Sequence, residues 1–174
     1  MNIVDYLEKR KTLRNIKRFN MEKVLHSQNL CEHGFNVANL YMLICDMLGF
    51  QYTKKEVFLV MNHDFAECYT GDLNLAIKSK APELWEEFEE KLVPSHIPTD
   101  KNIEAYFSQN STQEKYELFL FVDALEAYLY CLDEVTMGNK FMKKARDIYF
   151  DKLSKMNPNL FFSVLNTLKS QEEE

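Results

Sequence analysis

The sequence predicts an all-α fold in a single domain. Apolar residues recur at three- and four-residue spacing along almost the whole chain, and no stretch of four or more residues alternates apolar and polar between turn signals. Only 4 Gly and 4 Pro punctuate 174 residues, few for a fold of many tight turns, while 13 Phe, 9 Tyr and 8 Met supply bulky core material. A chain 46% hydrophobic and 28% charged is globular rather than disordered, and its length suits one domain.

The first helix is expected over about Ile3 to Ile16, with Val4, Leu7 and Leu13 turned to the core. From Lys17 to Leu30 the period is lost, which reads as a loop or broken helix. Asn29 followed by Glu32 has the spacing of a capping box, in which each side chain satisfies a free amide at a helix start, and Val37, Leu40, Tyr41, Ile44 and Leu48 then form one stripe ending near Gly49. Thr53 and Glu56 repeat the pattern for a third helix to about Asp64, and Thr70-Gly71-Asp72 marks a turn. Pro82 suits the first turn of a helix carrying Leu84, Trp85, Phe88 and Leu92, which Pro94 and Pro98 break. Ser111 with Glu114 opens the longest helix, whose stripe holds Tyr116, Phe119, Leu120, Asp123, Ala127, Tyr130 and Cys131 before Gly138. Two more helices, about Phe141 to Met156 and Pro158 to Leu168, precede the acidic tail 171–174.

Lys and Arg total 21 against 27 Asp and Glu, a net charge of -6. Such a chain repels a long phosphate backbone, because nucleic-acid affinity comes largely from cationic side chains neutralising phosphates, but a small nucleotide at a local cationic pocket is compatible with it. No apolar run approaches the roughly 18 residues of a membrane span, and Met1 to Tyr6 carry no basic segment ahead of an apolar core. Cys31, Cys45, Cys68 and Cys131 are widely spaced without a CxxC pair. A soluble, cytoplasmic protein with reduced thiols and no membrane partner is the expectation.

Two residues stand out chemically. Asp123 has Phe119, Leu120 and Ala127 as helical neighbours, and a carboxylate in an apolar stripe must be paired, protonated or bound to a metal. His33 lies on the stripe of Leu30, Val37, Leu40 and Ile44. Each has a plain structural reading, as an acid paired with Arg or Lys and as a core histidine bonded to a backbone carbonyl. The adjacent His63-Asp64 shifts the balance, since imidazole nitrogens and carboxylate oxygens together bind divalent transition metals. The order His33, His63-Asp64, Asp123, each on its own helix and with Glu67 and the Thr70 to Leu73 turn close behind the second, is the pattern that matters.

That pattern resembles the HD-domain phosphohydrolases, and within them the YfbR-like 5'-deoxynucleotidases. Four blocks carry the likeness: Leu13 to Phe19 resembles the family's Arg-Trp segment, Asn29 to Gly34 its Glu-His helix start, His63 to Leu73 its most distinctive segment, and Asp123 to Leu132 its last metal-bearing helix. The resemblance implies a single HD-domain helical bundle of about seven to nine helices over residues 1–170. It implies that His33, His63, Asp64 and Asp123 bind one divalent ion, Co2+, Mn2+ or Zn2+, with Mg2+ as a further option. A bound dication polarises a phosphoryl oxygen and acidifies coordinated water.

By the same resemblance, Glu67 and Asp72 are the acidic pair that orients or deprotonates the attacking water, and Arg18 contacts the phosphate with its fork of donors. Phe19 is the aromatic wall beside the sugar, and Lys78 adds positive potential after the Gly-Asp-Leu turn. Read alone, Glu67 and Asp72 also suit a helix cap or loop, Arg18 an ion pair at the surface, and Lys78 a solvated charge beside Ser79 and Lys80. Phe19 stands where bacterial members usually have Trp, Asn74 and Ala76 replace prolines common in the family, and the chain is somewhat shorter than typical, so the departures touch base and sugar selectivity rather than the metal ligands. His26 and His96 match no ligand position and read as surface residues.

The function so implied is a 5'-nucleotidase that converts deoxynucleoside monophosphates to deoxynucleosides and inorganic phosphate, working as a homodimer or larger homo-oligomer. The runner-up is a compact deoxynucleoside triphosphate triphosphohydrolase that attacks the α-phosphate and releases tripolyphosphate. A non-catalytic nucleotide-binding protein of the same fold is disfavoured because every ligand and acidic position is kept.

Overall fold

The computed structural model describes residues 3–72, 80–95 and 97–171. Among them the chain forms nine α-helices: α1 (Ile3–Leu13), α2 (Leu30–Leu48), α3 (Lys54–Met61), α4 (Glu67–Thr70), α5 (Pro82–Leu92), α6 (Asp100–Asn110), α7 (Gln113–Thr136), α8 (Lys143–Met156) and α9 (Pro158–Gln171). Short 3-10 turns occupy His63–Ala66 and Lys140–Met142. The all-α expectation holds.

The longest helix, α7, is the axis of the core. Its Leu118, Phe121, Val122, Leu125 and Tyr128 are buried with Val37, Tyr41 and Ile44 of α2, Val60 of α3, Ile103 and Phe107 of α6, Leu153 of α8 and Phe161 of α9. Side chains of this size bury about 1.5 to 3 kcal/mol each relative to exposure, so this cluster fixes the bundle and the direction in which α7 presents its polar residues. A second, smaller cluster joins Leu13, Leu30, Phe65 and Ala66 to Val93 and Ile97, and seats the 3-10 turn that carries His63 and Asp64.

The predicted caps at the start of α2 and α3 are both present. Asn29 Oδ1 accepts from the amides of Cys31 and Glu32 while Glu32 Oε2 accepts from the Asn29 amide at 3.0 Å, and Thr53 and Glu56 pair reciprocally in the same way. At α7 the cap is Thr112, which accepts from the Lys115 amide at 3.3 Å. The expected cap, Ser111, donates its hydroxyl to the buried Glu56 carboxylate instead.

Other boundaries shift. The first helix stops at Leu13, and Lys17 to Asn29 form a loop closed at its neck by an antiparallel bridge between those two residues. Val4 and Leu7 are exposed, so only Leu13 of the expected α1 triad is core. Leu48 of α2 and the Leu84, Phe88 and Leu92 stripe of α5 also face solvent. The third helix ends at Met61, and the chain tightens into a 3-10 turn at His63. Helix α6 had no counterpart in the sequence reading: only Ile103 and Phe107 of its eleven residues are buried, and its capping box uses Asn102 rather than an acid.

One glycine is required by packing. A Cβ on Gly34 would lie 2.3 Å from the carbonyl oxygen of Met61, so α2 and the end of α3 approach as only glycine allows. His33 on one side of that contact and His63 just beyond the other are thereby brought together.

Candidate metal centre

His33 is fully buried in the first turn of α2, His63 and Asp64 open the 3-10 turn after α3, and Asp123 sits mid-way along α7. His33, His63 and Asp64 each offer a ligand atom within 4.8 Å of the others. Asp123 joins them, its Oδ1 3.0 Å from His33 Nε2 and 3.5 Å from His63 Nε2. The Asp64 oxygens lie 3.3 Å from His63 Nε2 and 3.6 Å from His33 Nε2. Asp123 is not sealed in an apolar stripe as the sequence suggests: Leu120 is exposed, and the Asp123 side chain keeps about a third of its surface, facing the site.

The far side of each imidazole decides what the near side does. His63 Nδ1 is 2.8 Å from the carbonyl oxygen of Val60, to which it can only donate. His33 Nδ1 is 2.6 Å from Glu126 Oε2, a carboxylate acceptor. With both Nδ1 atoms protonated, two Nε2 lone pairs face each other at 3.2 Å with two carboxylates around them. Four acceptors turned inward need a cation, and two imidazoles with two carboxylates are a donor set suited to a divalent transition ion. The residues therefore fit the metal. A proton on Nε2 answers the same negative charge that a metal ion would: burial works against a charged His63 ring, but the Asp64 and Asp123 carboxylates outweigh it and raise its pKa to about 10. Burial alone would raise the Asp123 pKa, yet the His33 and His63 rings beside it hold it well below the usual carboxylate range.

A second group lines the edge of this centre. Arg18, on the 17–29 loop, is nearly buried, and its Nη1 donates to Glu126 Oε2 at 2.9 Å and Gln28 Oε1 at 3.1 Å. Its partner is thus the site's own buried acid rather than a surface charge. Phe19 adopts φ 51°, a left-handed conformation uncommon for a bulky residue, and stacks on Tyr130 at 5.1 Å with Tyr149 edge-on at 6.3 Å. Tyr149 is pushed up to about 12, first by burial, with Arg18 opposing and the Asp123 and Asp72 charges adding. Asn20 Nδ2 donates to the Asp72 carbonyl at 3.0 Å, tying the Arg18 loop to the turn after α4. Glu67 opens α4, buried directly behind the His63–Ala66 turn.

The structure thus gathers His33, His63, Asp64 and Asp123 at one point, with Arg18 against His33 and Phe19 one residue further along the same loop. Lys78 lies outside the described residues, as does His96, while His26 is exposed as expected. Sequence reasoning missed Glu126 and Tyr149. The signal for Glu126 was available, an acid one turn after Asp123 on a face also lined by buried residues; Tyr149 in α8 had none.

A family model for the 5'-deoxynucleotidase YfbR-like proteins matches residues 5–167. The chain belongs to the YfbR-like 5'-deoxynucleotidase family. It is therefore a hydrolase of phosphomonoesters. A 5'-deoxynucleotidase of Vibrio vulnificus is 28% identical over 151 residues, covering 76% of this chain and 77% of the relative. One from Photorhabdus temperata is 26% identical over 149 residues, covering 77% and 75%. Among solved structures, the HD phosphohydrolase DatZ of cyanophage S-2L, bound to dA and one catalytic Zn2+ ion, superposes with a TM-score of 0.70 at 19% identity, covering 94% of this chain and 96% of that one. A Pyrococcus horikoshii protein follows with a TM-score of 0.64 at 19% identity, covering 93% and 98%. At these identities the structural likeness carries the fold alone.

Proposed function

We propose that this protein is a metal-dependent 5'-nucleotidase that converts deoxynucleoside 5'-monophosphates to deoxynucleosides and inorganic phosphate. The observation that carries the reading is the inward convergence of His33 Nε2, His63 Nε2 and the Asp64 and Asp123 carboxylates in a chain of this family. These four residues would hold one divalent ion, Co2+, Mn2+ or Zn2+, with Mg2+ less matched to imidazole ligands. When bound, the ion supplies Lewis acidity toward a phosphoryl oxygen and a water acidified to near-neutral pKa.

The chain's own groups do the rest. Arg18 grips the phosphate and offsets charge building on its equatorial oxygens, from a position beside His33 that puts the phosphate next to the metal. Glu67 takes the proton from the attacking water, and Asp72, on the turn tied to the Arg18 loop, orients it. Phe19, backed by Tyr130 and Tyr149, forms the wall against which the sugar rests. Lys78, by the family resemblance, adds positive potential to the pocket.

The protein works in the cytoplasm as a homodimer or larger homo-oligomer; free thiols at Cys31, Cys45, Cys68 and Cys131 suit a reducing compartment, and exposed Phe35, Leu43 and Met47 on α2 suit burial against another copy. Incubation with dAMP and with dATP, with separate detection of inorganic phosphate and tripolyphosphate, tests the reading. Phosphate from dAMP supports it; tripolyphosphate from dATP with dAMP untouched replaces it by the triphosphohydrolase.

A further inference from the structure

Glu126 is 4% exposed on α7, one helical turn after Asp123, and its two oxygens meet four side chains. Oε2 lies 2.9 Å from Arg18 Nη1 and 2.6 Å from His33 Nδ1, while Oε1 accepts from Gln28 Nε2 at 2.6 Å and from Asn36 Nδ2 at 3.2 Å. Arg18 Nη1 and His33 Nδ1 are themselves only 2.6 Å apart. If Nδ1 were the acceptor in that contact, its lone pair would also face the Oε2 carboxylate oxygen, two acceptors in repulsion. If Nδ1 carries the proton, both nitrogens donate to the one oxygen between them, and their close approach is explained by a shared acceptor.

We infer that Glu126 is a positioning residue that serves the metal half and the phosphate half of the site through a single oxygen. Accepting the Nδ1 proton of His33 fixes the ring and leaves Nε2 unprotonated, directed at Asp64, His63 and Asp123. Accepting from Nη1 holds the Arg18 guanidinium against the same ring. The Gln28 and Asn36 donors on Oε1 fix the carboxylate plane, so that neither partner can be re-aimed without disturbing the other. The inference rests on the proposed metal site and goes beyond it by making metal affinity and phosphate affinity depend on one residue that touches neither.

The test uses the full chain, freed of metal by chelation and titrated with Co2+ alone, with affinity read by calorimetry and ligand geometry by the visible absorption of bound cobalt. Glu126→Gln keeps the size of the side chain but has one acceptor oxygen instead of two and adds a donor. Its cobalt affinity should fall by about 10- to 100-fold, the range for losing an outer partner of a metal-bound histidine, with a shift in the cobalt bands. The cobalt-loaded variant should also bind inorganic phosphate more weakly than cobalt-loaded wild type and show a raised KM. Asn36→Ala, at an exposed position of α2, removes only the donor at 3.2 Å and should move cobalt affinity a few-fold in the same direction, which keeps the test decisive should Glu126→Gln not fold. Cobalt affinity and spectrum like wild type in the folded variants would overturn the role of Glu126, whatever happens to melting temperature. A wild type that takes up no cobalt would instead defeat the functional reading on which it stands.

Discussion

His33 and Asp123 lie ninety positions apart in the chain, and their Nε2 and Oδ1 atoms are 3.0 Å apart in the fold. The contact joins the first turn of α2 to the middle of α7 and places an anion on the lone-pair side of an imidazole whose other nitrogen is already committed to Glu126. Asp123→Ala and Asp123→Asn should therefore lose both bound metal and hydrolysis. Elemental analysis of the purified variants checks this, and stoichiometric metal in either would remove Asp123 from the ligand set.

Glu67→Gln should keep fold and metal while losing turnover, because the amide preserves shape but cannot take a proton. A general base contributes about 10²- to 10⁴-fold, so a fall of at least about a hundredfold in kcat is expected. Turnover like wild type with metal bound would leave the task to Asp72 or the ion.

Arg18→Ala should raise KM for a deoxynucleoside monophosphate and lower kcat, with Arg18→Lys rescuing only partly because an ammonium cannot make a two-pronged contact. Calorimetry in a Glu67→Gln background separates binding from chemistry. Deoxynucleoside without phosphate should bind the two proteins alike, and unchanged monophosphate affinity with a lower melting temperature would make Arg18 an ion-pair residue only.

How much of this was readable beforehand follows from the range of the interactions. Caps at Asn29 and Thr53 were legible because their partners lie three residues away. The proposed metal ligands were legible because HD-type spacing is local within each block, although Asp123 drew notice for a burial it only partly has. Glu126 was signalled only by its place one turn after Asp123, and its role was not legible, since its partners Arg18 and His33 stand 108 and 93 residues upstream. Val4 and Leu7 of α1 were misassigned to the core because amphipathic spacing records a stripe and not what covers it.

The pair of buried Glu56 and half-buried Lys115, at 2.6 Å, joins α3 to α7 and offers a stability test away from the site. Burial alone would raise the Glu56 pKa, but hydrogen bonds from Lys115, Ser111 and Thr53 outweigh it and hold it below the usual carboxylate value. A depressed folded pKa gives stability that is present above the unfolded value and lost as pH falls through the folded one. Glu56→Ala should cost about 1 to 3 kcal/mol at neutral pH by removing the acceptor of Lys115, Ser111 and the Thr53 amide, and the gap to wild type should narrow on acidification. Urea denaturation at pH 7 and in acid checks both; a gap independent of pH would contradict the ionised pair.

Gly34→Ala should destabilise the fold by about 1 to 3 kcal/mol, since the added methyl must push the Met61 carbonyl away from 2.3 Å. It should also weaken metal binding, because Met61 leads directly into His63. Loss of stability with cobalt affinity intact would mean that the α2 and α3 contact does not set the distance between the histidines.

The central claim is tested most directly by phosphate release from dAMP with the protein stripped of metal by chelation and then reloaded with Co2+, Mn2+ or Zn2+. The account predicts no release by the stripped protein and release of inorganic phosphate on reloading, abolished again in Asp123→Ala. Release at full rate by the stripped protein, or none after reloading with any of the ions, would contradict it.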